Sequence, residues 1–149
     1  MQVSLIHVGQ RPAAKDGFEA LTSDYLQRCG AFARCLSQAF RSQEALFDWL
    51  QGQKGREPAI VVLCDSRGRQ MTSEAFAKWL GVRRDGGAQH IVVAVGPANG
   101  WSEEARKRAD LLLSLSPMTL PHALARLVVA EQVYRAFTIL AGHPYHCGH

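Results

Sequence analysis

No apolar run in the chain approaches the ~20 residues that a membrane-spanning helix needs. The opening residues, Met1-Gln2-Val3-Ser4-Leu5-Ile6-His7, lack the basic segment and long apolar stretch of a secretory leader. The expected location is therefore the cytosol. Cysteine is sparse, and Cys29, Cys35, Cys64 and Cys147 share no CxxC spacing. That excludes zinc-ribbon and thioredoxin readings, and free thiols are expected. There is no Gly-Lys-Ser/Thr for a Walker loop and no GxGxxG dinucleotide fingerprint. Internal repeats, low-complexity blocks and long linkers are also missing.

What remains is an ordinary globular balance. The chain has 149 residues, 47% of them apolar and 20% charged, so one domain over residues 1–149 is expected. Seventeen basic residues oppose thirteen acidic ones, for a formal net charge of +4. That surplus suits an anionic partner such as nucleic acid. Most of it is arginine, whose planar fork matches phosphates and base edges better than a lysine point charge.

Apolar patterning alternates between two periods. Val3 to Val8, Arg34 to Phe40, Ala59 to Cys64, Ile91 to Val95 and Leu111 to Leu115 read as strands. Asp16 to Cys29 and Leu120 to Leu140 read as helices, and Ser42, Thr72 and Ser102 read as starts of three more. Three strands are apolar on both faces. Alternation with helices then predicts an α/β fold, a parallel sheet covered by helices on both faces. Ligands in such sheets bind beyond the carboxyl ends of the strands.

Three loops lie at those ends. Cys64-Asp65-Ser66-Arg67-Gly68-Arg69 reads as a strand-to-helix loop. In Gly96-Pro97-Ala98-Asn99-Gly100-Trp101-Ser102, the first glycine lets a ligand approach the backbone. In Leu115-Ser116-Pro117-Met118-Thr119-Leu120-Pro121-His122, peptide groups and apolar walls offer a slot for a flat heterocycle. The last helix is apolar around most of its circumference, which predicts burial on several sides and a two-fold homodimer. The tail, Pro144-Tyr145-His146-Cys147-Gly148-His149, matches no closed zinc spacing, so no metal is expected. A tyrosine and a histidine there suit stacking on, and hydrogen bonding to, an RNA base.

These loops and the tail, in this order, resemble the large-subunit ribosomal RNA methyltransferase H family of the SPOUT class. The likeness runs over the whole chain. It is strongest at Leu115 to His122, Ala125-Arg126, Glu131 to Phe137 and Pro144-Tyr145-His146. The resemblance implies a C-terminal deep trefoil knot, a homodimer and the cofactor S-adenosyl-L-methionine. It further implies methylation of N3 of a pseudouridine in the helix 69 hairpin of 23S rRNA on assembled ribosomes. Carried over by position, the cofactor residues are Cys64, Gly96, Leu115, Ser116, Pro117, Met118, Thr119 and Leu120.

Two departures stand out. The family's second loop commonly opens Gly-Gly, where this chain has Gly96-Pro97, and the tail runs on past Tyr145-His146. A ring N–H must be deprotonated for transfer, and His146 and His122 are both candidates for the base. Arg126, Arg135, Tyr145 and His146 are candidate RNA contacts, with Arg11 as a further phosphate contact. Arg135 has a simpler role open to it as well, pairing with Glu131 one helical turn away. The competing function is a catalytically silent ribosome- or RNA-binding protein of the same fold.

Overall fold

The computed structural model describes residues 1–10, 12–13, 15–53 and 55–147. Five strands, β1 (Gln2–Val8), β2 (Arg34–Phe40), β3 (Ile60–Gln70), β4 (His90–Val95) and β5 (Leu111–Ser114), form one sheet. The order is β2-β1-β4-β3-β5, and every pairing is parallel. The helices are α1 (Gly17–Cys29), α2 (Gln43–Gln51), α3 (Ser73–Asp85), α4 (Glu103–Lys107) and α5 (His122–Leu140). Strand–helix alternation therefore produces the expected doubly covered sheet.

Alternate residues of each strand serve opposite faces. Val3, Leu5, Val62, Ile91, Val93, Leu111 and Leu113 pack with Leu26 of α1, Phe76 and Leu80 of α3, and Val129, Val133 and Phe137 of α5. Ile6, Val8, Val61, Leu63, Val92 and Ala94 pack on the other face with Leu46 and Phe47 of α2 and Ala105 of α4. Four helices start where a side chain accepts from the first-turn amides: Asp16, Ser42, Thr72 and Ser102. α5 instead follows Pro121, which has no amide hydrogen to satisfy.

Two expectations change. Cys64 to Arg69 is not a plain strand-to-helix loop, because β3 continues to Gln70. Both Cys64 and Arg69 stand opposite Leu113 of β5, and Gln70 stands opposite Ser114. The segment between them leaves the ladder and returns to it. Gly68 lies directly against the β5 main chain, where an added Cβ would fall 2.6 Å from the Leu112 carbonyl carbon. Second, only part of the α5 apolar circumference is buried within its own chain, against α1, α3 and the sheet, while Leu124, Leu127 and Val128 stay half-buried outside both core clusters. Apolar surface also lies open on α1, where Phe18 and Leu21 are 44% and 52% exposed.

Candidate functional site

The carboxyl ends of β3, β4 and β5 meet around a cleft of about 250 Å³. β3 contributes Cys64, Asp65 and Ser66, and the segment after β4 contributes Gly96, Pro97 and Trp101. Leu115, Ser116, Met118, Thr119 and Leu120 come from the connection between β5 and α5, and His122 from the first turn of α5. The expected cofactor residues are thus brought together, with Pro117 alone off the lining in the same loop. That loop is braced from within. Ser114 Oγ donates to the Ser116 carbonyl at 3.2 Å, and Ser116 Oγ accepts from the Met118 amide at 2.9 Å.

Sequence reasoning gave no role to Trp101, Asp65 or Arg106 of the lining, although the first two lie in loops it marked. Trp101 is buried, and its Nε1 donates to the Cys64 carbonyl at 2.9 Å, tying the β4 loop to the end of β3. Asp65 and Arg106 form a mostly buried ion pair at 2.6 Å. The Asp65 carboxylate also accepts from the Arg67 amide at 2.8 Å. A buried carboxylate needs such partners, and the three together fix where the β3 excursion begins. Only hindsight links Asp65 to Arg106, which stands 41 positions further along the chain. Burial pushes the Cys64 thiol up to about 12, so it stays protonated and acts as a small apolar wall.

The cleft fits S-adenosyl-L-methionine in its donor set and walls. Peptide groups of the braced loop can bond the edge of an adenine ring. Leu115, Leu120 and Val95 supply apolar walls, and Met118 stands 77% exposed in the lining. Among the described residues the lining holds one arginine, Arg106, and its pairing with Asp65 and Glu103 limits its repulsion of a sulfonium.

The tail packs elsewhere. Arg135 Nη1 donates to His146 Nδ1 at 3.0 Å, and His146 Nε2 lies 2.9 Å from Glu74. Arginine only donates, so Nδ1 is the acceptor and Nε2–H donates to the carboxylate. Arg135 also binds Glu131, and the Tyr145 hydroxyl donates to the same carboxylate at 3.0 Å. The Arg135 guanidinium lies over the Tyr145 ring at 4.9 Å. Burial and the Glu131 and Tyr25 hydrogen bonds raise the Tyr145 pKa, while the bond from its own amide and that from His146 lower the Glu74 pKa. Arg135 lies thirteen residues after His122, so the tail sits about 20 Å along α5 from the cleft. Of the two candidate bases, then, His122 borders the cleft of its own chain and His146 does not.

Arg126, expected at an RNA surface, is 4% exposed. It donates to Glu19 at 2.6 Å and to Ser37 Oγ at 3.0 Å, joining α5 to α1 and β2. Its charge is spent on the fold, because a guanidinium buried this deeply requires a partner. Arg11, Gly148 and His149 lie outside the described residues. Among the described residues no group of three His, Cys, Asp or Glu side chains gathers to hold a metal. Nor is any helix among them long and apolar enough to cross a membrane.

A family model described as "Predicted SPOUT methyltransferase" matches residues 1–146. The fold and its cleft therefore define a methyltransferase of the SPOUT class, whose cofactor is S-adenosyl-L-methionine. Two relatives are each named "Ribosomal RNA large subunit methyltransferase H". The one from Koribacter versatilis (strain Ellin345) is 42% identical over 149 residues, which is all of both chains. The one from Bartonella bacilliformis is 35% identical over 160 residues, covering 98% of this chain and 99% of that protein. The chain belongs to the ribosomal RNA large subunit methyltransferase H family. Among solved structures, the SpoU methyltransferase AviRb from Streptomyces viridochromogenes, in complex with the cofactor AdoMet, superposes with a TM-score of 0.52. It is 13% identical, and the match covers 95% of this chain and 58% of that one. The chain thus spans a little over half of that neighbour, and the likeness concerns the fold.

Proposed function

We propose that this protein methylates N3 of a pseudouridine in the helix 69 hairpin of 23S rRNA, acting on assembled ribosomes in the cytoplasm. The observation that carries the reading is the cleft formed by three strand ends and the braced Leu115–Leu120 connection, in a chain with full-length relatives of that name. Bound there, S-adenosyl-L-methionine supplies a methyl group on a sulfonium. The chain's own part is to hold that group against peptide edges and apolar walls and to keep water out. It also holds the acceptor nitrogen near the methyl carbon, at roughly 3–3.5 Å.

The whole chain acts as one SPOUT domain with a C-terminal trefoil knot. The return of β3 to β5, with Gly68 against the β5 main chain, supports the crossing that such threading requires. A homodimer completes the site. Exposed Phe18 and Leu21 supply apolar interface area on α1. The wide separation of cleft and tail supports an RNA site made of one protomer's cleft and its partner's tail. Arg135 of α5 and Tyr145 and His146 of the tail are the RNA contacts, and Arg126 ties α5 to α1 and β2. Pro97 withdraws one amide from the cofactor loop, and the peptides after Leu115 carry that role.

The reading is tested by label transfer from methyl-labelled S-adenosyl-L-methionine to ribosomes lacking the modification, beside naked 23S rRNA. Incorporation at the helix 69 pseudouridine on ribosomes is the expected result. No incorporation by folded, cofactor-binding protein favours the silent RNA binder instead. The shared site makes a separate prediction. A Thr119→Trp protomer, its cleft mouth filled, and a protomer truncated before Pro144 are each expected to be inactive. Mixed dimers should recover a large part of the activity of one site. Verified heterodimers without activity would sink the composite arrangement.

A further inference from the structure

Much of the chain's arginine charge is spent within the fold. Ion pairs occupy Arg28, Arg67, Arg84, Arg106, Arg126 and Arg135. Arg56 and Arg108 are exposed, and among the described residues neither has a carboxylate partner or a side-chain hydrogen bond. Both line one cavity of about 310 Å³ at the amino end of β3. Ala59 lines this cavity and Cys64 lines the cofactor cleft. Five strand positions separate them, roughly 16 Å along β3. Cavity and cleft therefore sit at opposite ends of the sheet.

The walls of the cavity divide by chemistry. Phe47 and Leu50 of α2 join Pro58 and Val61 as an apolar floor, and Gln51 and Gln53 add side-chain amides. The Arg108 guanidinium lies over the Phe47 ring at 4.4 Å. That contact holds it at the cavity while its five N–H donors stay unspent. Glu57 and Asp110 are the acids nearest the two arginines in sequence, and neither pairs with them. Asp110 Oδ2 instead accepts from the Val61 amide at 2.7 Å. Arg56 also stands near His90, whose pKa is lowered by burial first and by the Arg56 charge second. Two free guanidiniums over an apolar floor suit an anion attached to a flat ring. A nucleotide of unpaired RNA has that make-up, with a phosphate for the arginines and a base for the floor.

We propose that this cavity is a second RNA contact, seating one nucleotide of an unpaired rRNA segment away from the nucleotide that is methylated. Arg56 and Arg108 donate to its phosphate, and its base lies on the apolar floor within reach of the glutamine amides. The proposal rests on the RNA-methylating reading above and adds a second hold on the same substrate. A contact this far from the cofactor strengthens ground state and transition state equally. It lowers KM for the ribosome and leaves the rate at saturation alone.

Two double variants separate this site from general charge. Arg56→Gln with Arg108→Gln should weaken the Kd for ribosomes by about 10-fold at low salt. The slope of log Kd against log salt concentration should fall by about one for each arginine removed. KM for ribosomes should rise to match, with kcat, cofactor Kd and thermal midpoint near wild type. Lys78→Gln with Arg83→Gln takes the same charge from α3, including a guanidinium over the Trp79 ring at 4.5 Å. That pair should stay within threefold of wild type in Kd. A photo-crosslinker in place of Gln53 should join the protein to rRNA. Equal losses in the two double variants, or no loss in the first, overturn the proposal and leave the RNA-methylating function intact. So does a crosslink to a ribosomal protein alone. A wild type that neither binds ribosomes nor methylates their RNA overturns both.

Discussion

Gly68→Ala should lower the stability of the fold by roughly 3 kcal/mol, a drop in thermal midpoint on the order of 10 °C for a chain of this size. The new methyl would fall 2.6 Å from the Leu112 carbonyl carbon, 2.7 Å from its oxygen and 2.8 Å from the Leu113 nitrogen. All three are main-chain atoms, so no rotamer change relieves the overlap. β5 has little freedom to retreat, since Leu113 is paired with both Cys64 and Arg69. Gly17→Ala is the comparison, because a Cβ there meets nothing within 4 Å. It should remain within about 1 kcal/mol of wild type. Equal midpoints for the two variants would show that the β3 excursion does not press on β5.

Gly96→Ala should weaken cofactor binding by about 100-fold, near 3 kcal/mol, in calorimetric titration. Its Cβ would lie 2.5 Å from Trp101 Cε2 and 2.6 Å from Nε1. The indole is pinned by its bond to the Cys64 carbonyl and is 5% exposed, so it yields only by breaking that bond. Either adjustment displaces the peptide groups on two sides of the cleft at once. A Kd within threefold of wild type would mean that this loop does not shape the cofactor's seat. The glycine was read from sequence as room for a ligand, and the room is taken first by Trp101.

The sheet was legible because three of its strands are continuous apolar runs with helix-capping residues between them. Ser42, Thr72 and Ser102 each accept the amide bond that their position in the sequence implies. The cleft was legible for a related reason: a parallel sheet brings its strand ends together, and three of those ends carried loop chemistry. The excursion of β3 was not legible. Asp65 to Gly68 has turn composition, and nothing local shows that Arg69 and Gln70 rejoin the ladder beside β5. Arg126 misled because charge alone suggested a surface, while its partners Glu19 and Ser37 lie 107 and 89 residues away in sequence.

The two-sided pairing of Leu113 also bears on the order in which the chain acquires its structure. Asp65 to Gln70 reaches its final position only against a strand that the ribosome makes much later. Until Leu111–Ser114 has emerged, the first four strands hold an unfinished edge, and α3 lacks the α5 surface it packs on. Closure therefore waits for the last third of the chain, and it requires pairing between segments far apart in sequence. Such contacts form slowly. The nascent protein therefore carries an unfinished sheet edge until its last segment arrives.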